Sequence, residues 1–129
     1  MFYKKDNDLG TIEYDVNIIG NIIRNNIEMY HGRVLLSDAR GRIRKNSPKS
    51  RGADDLTFFD IIETDGVYDL DVYIVLKFGT SIKSTSLELI NTMRREISQV
   101  TGIMINNLRI TITGMLSKNF IKRHIEVEG

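Results

Sequence analysis

One stretch near the middle of the chain alternates apolar and polar residues more regularly than any other. Apolar side chains occupy every second position, at Tyr68, Leu70, Val72, Ile74, Leu76 and Phe78. Asp69, Asp71, Tyr73 and Lys77 stand between them. Because successive side chains of a β-strand point to opposite faces, this pattern predicts a strand with one face on a core and the other toward water. We therefore expect an antiparallel sheet that is covered on one side.

Further strands are predicted on both sides of this one in the chain. Residues 56–63 form a second strand-like run, joined to the first by Thr64-Asp65-Gly66, a hairpin turn in which Asp-Gly supplies positive φ values. Residues 10–14 and 34–36 predict two short strands, and residues 104–113 a last alternating strand.

Two segments have apolar residues at the three- and four-residue steps of an amphipathic helix. The first has Val16, Ile19, Ile23, Ile27 and Tyr30, and the second has Ile82, Leu89, Met93, Ile97 and Val100. Asp15 is placed to cap the first helix and Gly32 to end it, while Thr80 or Ser81 caps the second and Gly102 ends it.

These elements predict an α+β fold in a single domain over residues 1–129. We expect a two-layer sandwich with two helices on one face of a largely antiparallel sheet, in the order β-α-β-β-β-α-β. Residues 118–129 are a polar tail with no firm assignment.

Little in the sequence indicates catalysis. There is no Cys, and the two histidines, His31 and His124, do not have the spacing of a metal site. No glycine-rich phosphate-binding motif occurs. The acidic residues at 54–71 could form a carboxylate pair or a cation site, but they alternate with core residues, which favours a solvated sheet face. We expect no enzyme, no cofactor and no metal.

Charge is segregated along the chain although its net charge is only +1. Residues 33–51 contain seven basic side chains and one acid, whereas residues 52–78 contain seven acids and one lysine. We expect residues 38–53 to form a flexible basic loop. The candidate residues for binding an anion or a partner are Arg40, Arg42, Arg44, Lys45, Lys49 and Arg51.

Three roles for this loop stay open. It could bind the phosphates of RNA, DNA or anionic lipid. It could instead fold back onto the acidic strands, or reach those of a neighbouring copy in a homo-oligomer. It could also be a solvated linker. The absence of aromatic residues among the basic ones weakens the case for nucleic-acid binding.

The chain resembles the bacterial alkaline shock and general stress protein family in three places: the opening Gly10-Thr-Ile-Glu-Tyr-Asp-Val-Asn-Ile-Ile, the segment from Val67 through Phe78-Gly-Thr-Ser-Ile82, and the segment from Glu88 through Thr101-Gly to Gly114. The resemblance implies a small, non-enzymatic cytosolic protein linked to cell-envelope homeostasis, without catalytic residues. Some members of the family are held at the inner face of the membrane by a separate anchored partner.

Two functions are therefore carried forward. The first is a non-catalytic cytosolic scaffold or interaction protein of the envelope-stress type, which acts on a protein partner. The alternative is a nucleic-acid-binding α+β module that uses the basic loop. The apolar runs of the sequence are too short for a spanning helix, so we expect a cytoplasmic protein.

Overall fold

A computed structural model of the chain describes residues 9–43, 57–117 and 121–129. Its elements follow one another as α1 (Leu9–Glu28), β1 (Val34–Leu36), β2 (Phe59–Thr64), β3 (Val67–Lys77), α2 (Ile82–Thr101), β4 (Ile105–Leu116) and β5 (Ile121–Glu128). The α+β class is confirmed. The order differs from the expected one only at its two ends.

The alternating segment is the central strand β3, as predicted. Val72, Ile74 and Leu76 are fully buried on its inner face. Phe78 does not continue this face, because β3 ends at Lys77 and the Phe78 side chain is 65% exposed. The Asp-Gly turn before β3 is also confirmed, with positive φ at Asp65 (52°) and Gly66 (81°).

The sheet is built around β3. β1 and β2 pair antiparallel with successive parts of β3, β4 pairs parallel with it, and β5 pairs antiparallel with β4. The prediction of a largely antiparallel sheet is confirmed, with one parallel pair that the sequence did not indicate. A parallel pair needs a crossover connection, and α2 supplies it between β3 and β4.

Both helices pack on the inner face of the sheet and enclose one core. α1 contributes Ile19 and Ile23, and α2 contributes Leu89, Met93 and Ile97, all fully buried. The predicted caps of α2 are present: Ser81 accepts a hydrogen bond from the Ser84 amide, and Gly102 adopts the left-handed conformation with φ 78°.

The prediction of a strand at residues 10–14 is wrong, because α1 already begins at Leu9. Five residues of alternation are too few to distinguish the two-residue period of a strand from the 3.6-residue period of a helix. Ile12 also stands four residues before Val16, so the apolar stripe of the helix extends back through this segment.

The polar tail contains an element that its composition concealed. Residues 121–128 form β5, which lies at the border of the sheet. Among residues 124–128, Ile125 and Val127 are partly buried against the core, while His124, Glu126 and Glu128 face outward. A strand covered on part of one face can be polar at most of its positions.

Candidate interaction surfaces

The predicted basic loop begins with a hydrogen-bonded turn organised by Asp38. One carboxylate oxygen of Asp38 accepts the amide protons of Arg40 (3.0 Å) and Arg42 (2.9 Å), and the other accepts from Nε of Arg42 (2.7 Å). The Asp38 amide donates to the Arg42 carbonyl, and Ser37 forms a β-bridge with Ile43. Residues 38–43 are therefore an ordered turn.

Asp38 is ionised at neutral pH. It is only 6% exposed, and burial, the largest single influence, would raise its pKa. The hydrogen bonds from Arg42 and Arg40, together with the Arg42 charge, outweigh burial and lower the pKa of Asp38 below its usual value. This acid, which the sequence shows only as an exception in a basic segment, determines where the first two candidate arginines lie.

The candidate residues divide into two groups. Arg40 and Arg42 are in the Asp38 turn with exposed side chains, and Arg42 is 69% exposed although its Nε contacts Asp38. Arg44, Lys45, Lys49 and Arg51, and with them most of the predicted loop, lie outside the described residues.

The side of the sheet away from the helices, called here the open face, is polar around the middle of β3. The Tyr73 hydroxyl donates to Oδ2 of Asp60 on β2, and the Thr111 hydroxyl of β4 donates to Oδ1 of Asp71 (2.7 Å). Burial is the largest reason that the pKa values of Tyr73 and Asp71 are both raised. The predicted acidic face is thus a half-buried hydrogen-bonded surface.

Arg109 of β4 links three carboxylates on the open face. Its guanidinium lies 3.4 Å from Asp71, 2.9 Å from Glu126 and 3.8 Å from Glu128. Asp71 therefore pairs with Arg109 of the neighbouring strand. Arg42 of the basic segment pairs with Asp38 in its own turn. Sequence reasoning missed Arg109, since only the parallel register places Arg109 beside Asp71.

A depression of about 260 Å³ lies on the open face at this point. Among the described residues, Tyr73 and Asn107 line it together with four carboxylates, those of Asp60, Asp69, Asp71 and Glu128, and with one cation, Arg109. Ile62 also lines it and is 60% exposed. The depression is therefore acidic and includes an exposed apolar side chain.

With this geometry established, comparison with known proteins places the chain in a family. The model of the alkaline shock protein 23 family, described as having a cell envelope-related function, matches residues 4–117. The chain belongs to this family. No curated protein and no solved structure matches the chain significantly.

The alkaline shock family match covers α1 through β4, including Asp38, Asp71, Tyr73 and Arg109. β5 lies beyond the matched range, so Glu126 and Glu128 come from a part of the chain that the family model does not describe. Neither helix in the described part of this family member has an apolar stretch long enough to cross a membrane.

The two histidines of this alkaline shock family member lie in different parts of the fold. His31 has a left-handed backbone (φ 51°) in the turn after α1, and His124 lies on β5 with its Nε2 2.9 Å from Glu126. Within residues 9–43, 57–117 and 121–129, no three His, Asp or Glu side chains are grouped to hold a metal ion.

Proposed function

We propose that this chain is a non-catalytic cytosolic interaction protein with a role at the cell envelope, and that it binds a protein partner through the acidic depression of its open face. Family membership supports the envelope role. The observation that carries the rest is the half-buried Asp71–Arg109 network on a sheet face that neither helix covers.

The charge of the depression specifies the chemistry of the partner. Four carboxylates around one arginine favour a segment that carries Lys or Arg. The exposed Ile62, which also lines the depression, offers an apolar contact beside them. Cytoplasmic segments next to membrane-spanning helices are rich in Lys and Arg. A membrane-anchored partner with such a segment would hold this chain at the inner face of the membrane.

The site is also arranged to keep its shape when a partner binds. Tyr73, Thr111 and Arg109 each already hold a carboxylate by a hydrogen bond or ion pair. Side chains that are fixed in advance lose less conformational entropy on binding. A preorganised acidic surface is consistent with recognition and requires no chemical step.

Fluorescence anisotropy with synthetic peptides tests this proposal. A peptide that combines several Lys and Arg with apolar residues should bind, and the same peptide with Glu in place of its basic residues should not. Asp69→Lys should weaken binding at least tenfold. Glu28→Lys, the same charge change at an exposed position of α1, should leave binding unchanged. Equal effects of the two substitutions would show only general charge attraction and would contradict a site on the open face.

Binding of nucleic acid or anionic lipid by the basic loop stays the alternative prediction. The same assay with RNA, DNA and anionic vesicles tests it. If these ligands bind more tightly than the basic peptide, and if changing Arg42, Arg44 and Lys45 to Ser abolishes that binding, the alternative replaces the proposal.

A further inference from the structure

β5 ends the sheet on one side, and in the part of the chain that the structure describes no strand pairs with its outer edge. An unpaired edge presents a row of amide and carbonyl groups that can bind another strand. We infer that the outer edge of β5 pairs antiparallel with β5 of a second copy, about a twofold axis at Ile125. Of the residues that would pair, Glu128 also lines the acidic depression. The inference rests on the strand edge and its charge order and does not depend on the proposed function.

The order of charges along β5 selects this arrangement. Basic residues occupy the first half of the strand, at Lys122, Arg123 and His124, and acids occupy the second half, at Glu126 and Glu128. An antiparallel pair centred on Ile125 places His124 opposite Glu126 of the second copy, and position 122 opposite Glu128. Opposite charges facing each other across strands stabilise a pair, and like charges destabilise it.

A parallel pair in the same register would instead place each position opposite itself. Glu126 would then face Glu126, and Glu128 would face Glu128, which is the destabilising case. The charge order thus favours the antiparallel direction over the parallel one. Charged residues normally protect an edge against pairing, whereas this sequence leaves one self-complementary alignment open.

The side chains at the centre of β5 suit such a pair. His124 and Glu126 are on the open face, 66% and 40% exposed, and are already 2.9 Å apart within one chain. Two such couples would meet across the axis. Ile125 and Val127 are partly buried on the helix side of the strand. Pairing at Ile125 would bury more of both and would continue the apolar layer from one copy to the next.

The opposite border of the sheet lacks this property. β1 has only three residues, and β2 carries Asp60 and Glu63 without a basic residue. An antiparallel pair of two β2 strands would bring acids toward acids. Among the border strands that the structure describes, β5 is the self-complementary one, so the same patch meets itself in both copies. An interface of this type closes as a dimer.

Disulfide trapping tests the register, because the natural chain contains no Cys. His124→Cys combined with Glu126→Cys should give a covalent dimer on oxidation, since directly opposite residues of an antiparallel pair have Cα atoms about 4.5–5.5 Å apart. His124→Cys alone is the matched control. Its sulfurs would be diagonal, with Cα atoms about 8 Å apart, beyond the roughly 7 Å that a disulfide can bridge.

Sedimentation equilibrium tests the charges on the unlinked protein. Glu126→Lys should weaken the dimer at least tenfold, and adding His124→Glu should restore it, because the double variant again has a positive side chain opposite a negative one across the axis. Glu28→Lys should leave the dimer unchanged. Any one of three results overturns the inference: a monomer at all concentrations, species larger than a dimer, or equal trapping of the single- and double-cysteine variants.

Discussion

Replacing Asp38 with alanine should destabilise the chain by about 2 kcal/mol at pH 7. The substitution removes the acceptor for two backbone amides and for Nε of Arg42. A net contribution of about 0.5–1.5 kcal/mol for a neutral hydrogen bond, and somewhat more for a charged acceptor, gives this magnitude. Both arginines are exposed, so water recovers part of the loss and the total stays below the simple sum.

Two further substitutions separate the amide hydrogen bonds from the ion pair. Asp38→Asn keeps a side-chain oxygen for the amides and should cost about 1 kcal/mol. Arg42→Gln keeps the Arg42 amide but removes the guanidinium. Because that side chain is 69% exposed, its ion pair should contribute less than about 1 kcal/mol. The amides therefore dominate the energetics of the turn.

The contribution of Asp38 should depend on pH with a definite sign. Its pKa is lower in the folded chain than the roughly 3.9 of an unfolded aspartate. The stabilisation is fully present above the unfolded pKa and is lost as the pH falls through the folded pKa. The difference between the natural chain and Asp38→Asn should consequently shrink below about pH 4.

Urea unfolding followed by circular dichroism measures these free energies. Asp69→Asn is the control, since in the described part of the chain the Asp69 carboxylate accepts a single, long amide hydrogen bond, at 3.3 Å from the Asn107 nitrogen. The reasoning is refuted if Asp38→Ala falls within about 0.5 kcal/mol of the natural chain. It is also refuted if Arg42→Gln costs as much as Asp38→Ala.

Three other predictions concern the sheet and α2. Ile74→Asp should prevent folding, because an unpaired charge at a fully buried position costs several kcal/mol. Tyr73→Phe removes the hydrogen bond to Asp60 and should cost only about 1 kcal/mol. Soluble expression and thermal unfolding distinguish the two variants. Arg109→Met should cost about 1–2 kcal/mol at pH 7, because Arg109 offsets the charge of the half-buried Asp71 carboxylate. The cost should be smaller in acid, since burial raises the pKa of Asp71 and protonation below that pKa removes the charge that Arg109 offsets; unfolding measured against pH checks the trend. Gly102→Ala should cost about 1–2 kcal/mol in the same urea assay, because a Cβ there meets no atom and only the left-handed backbone opposes it.

The parts of the fold that were predictable are those encoded over a few neighbouring residues. The alternation around Ile74, the Asp65-Gly66 turn and the cap at Gly102 each depend on local steric rules, and each is confirmed. β5 was not predictable, since a border strand needs few apolar residues.

The candidate surfaces were less predictable because they depend on pairing between distant segments. The sequence indicates an acidic sheet face, and the structure contains one at Asp60 and Asp71. It does not indicate that β4 runs parallel beside β3, which is what brings Arg109 to Asp71. It likewise shows Asp38 as one acid among basic residues, while the chain reversal that lets Asp38 bind two amides is visible only in three dimensions.

The parallel pairing of β3 with β4 also bears on how the chain is made. The β2–β3 hairpin is local and can form within about 1–10 μs of leaving the ribosome, but β4 follows only after the whole of α2. Until synthesis passes Leu116, one edge of β3 has no partner, and the apolar surface around Val72 and Ile74 lacks the side chains of β4. An incomplete chain of this kind exposes apolar surface and an unpaired strand edge. Such features promote aggregation and are recognised by chaperones. Productive folding of the sheet therefore waits until β4 is available to pair with β3, and the emerging chain depends on protection until then.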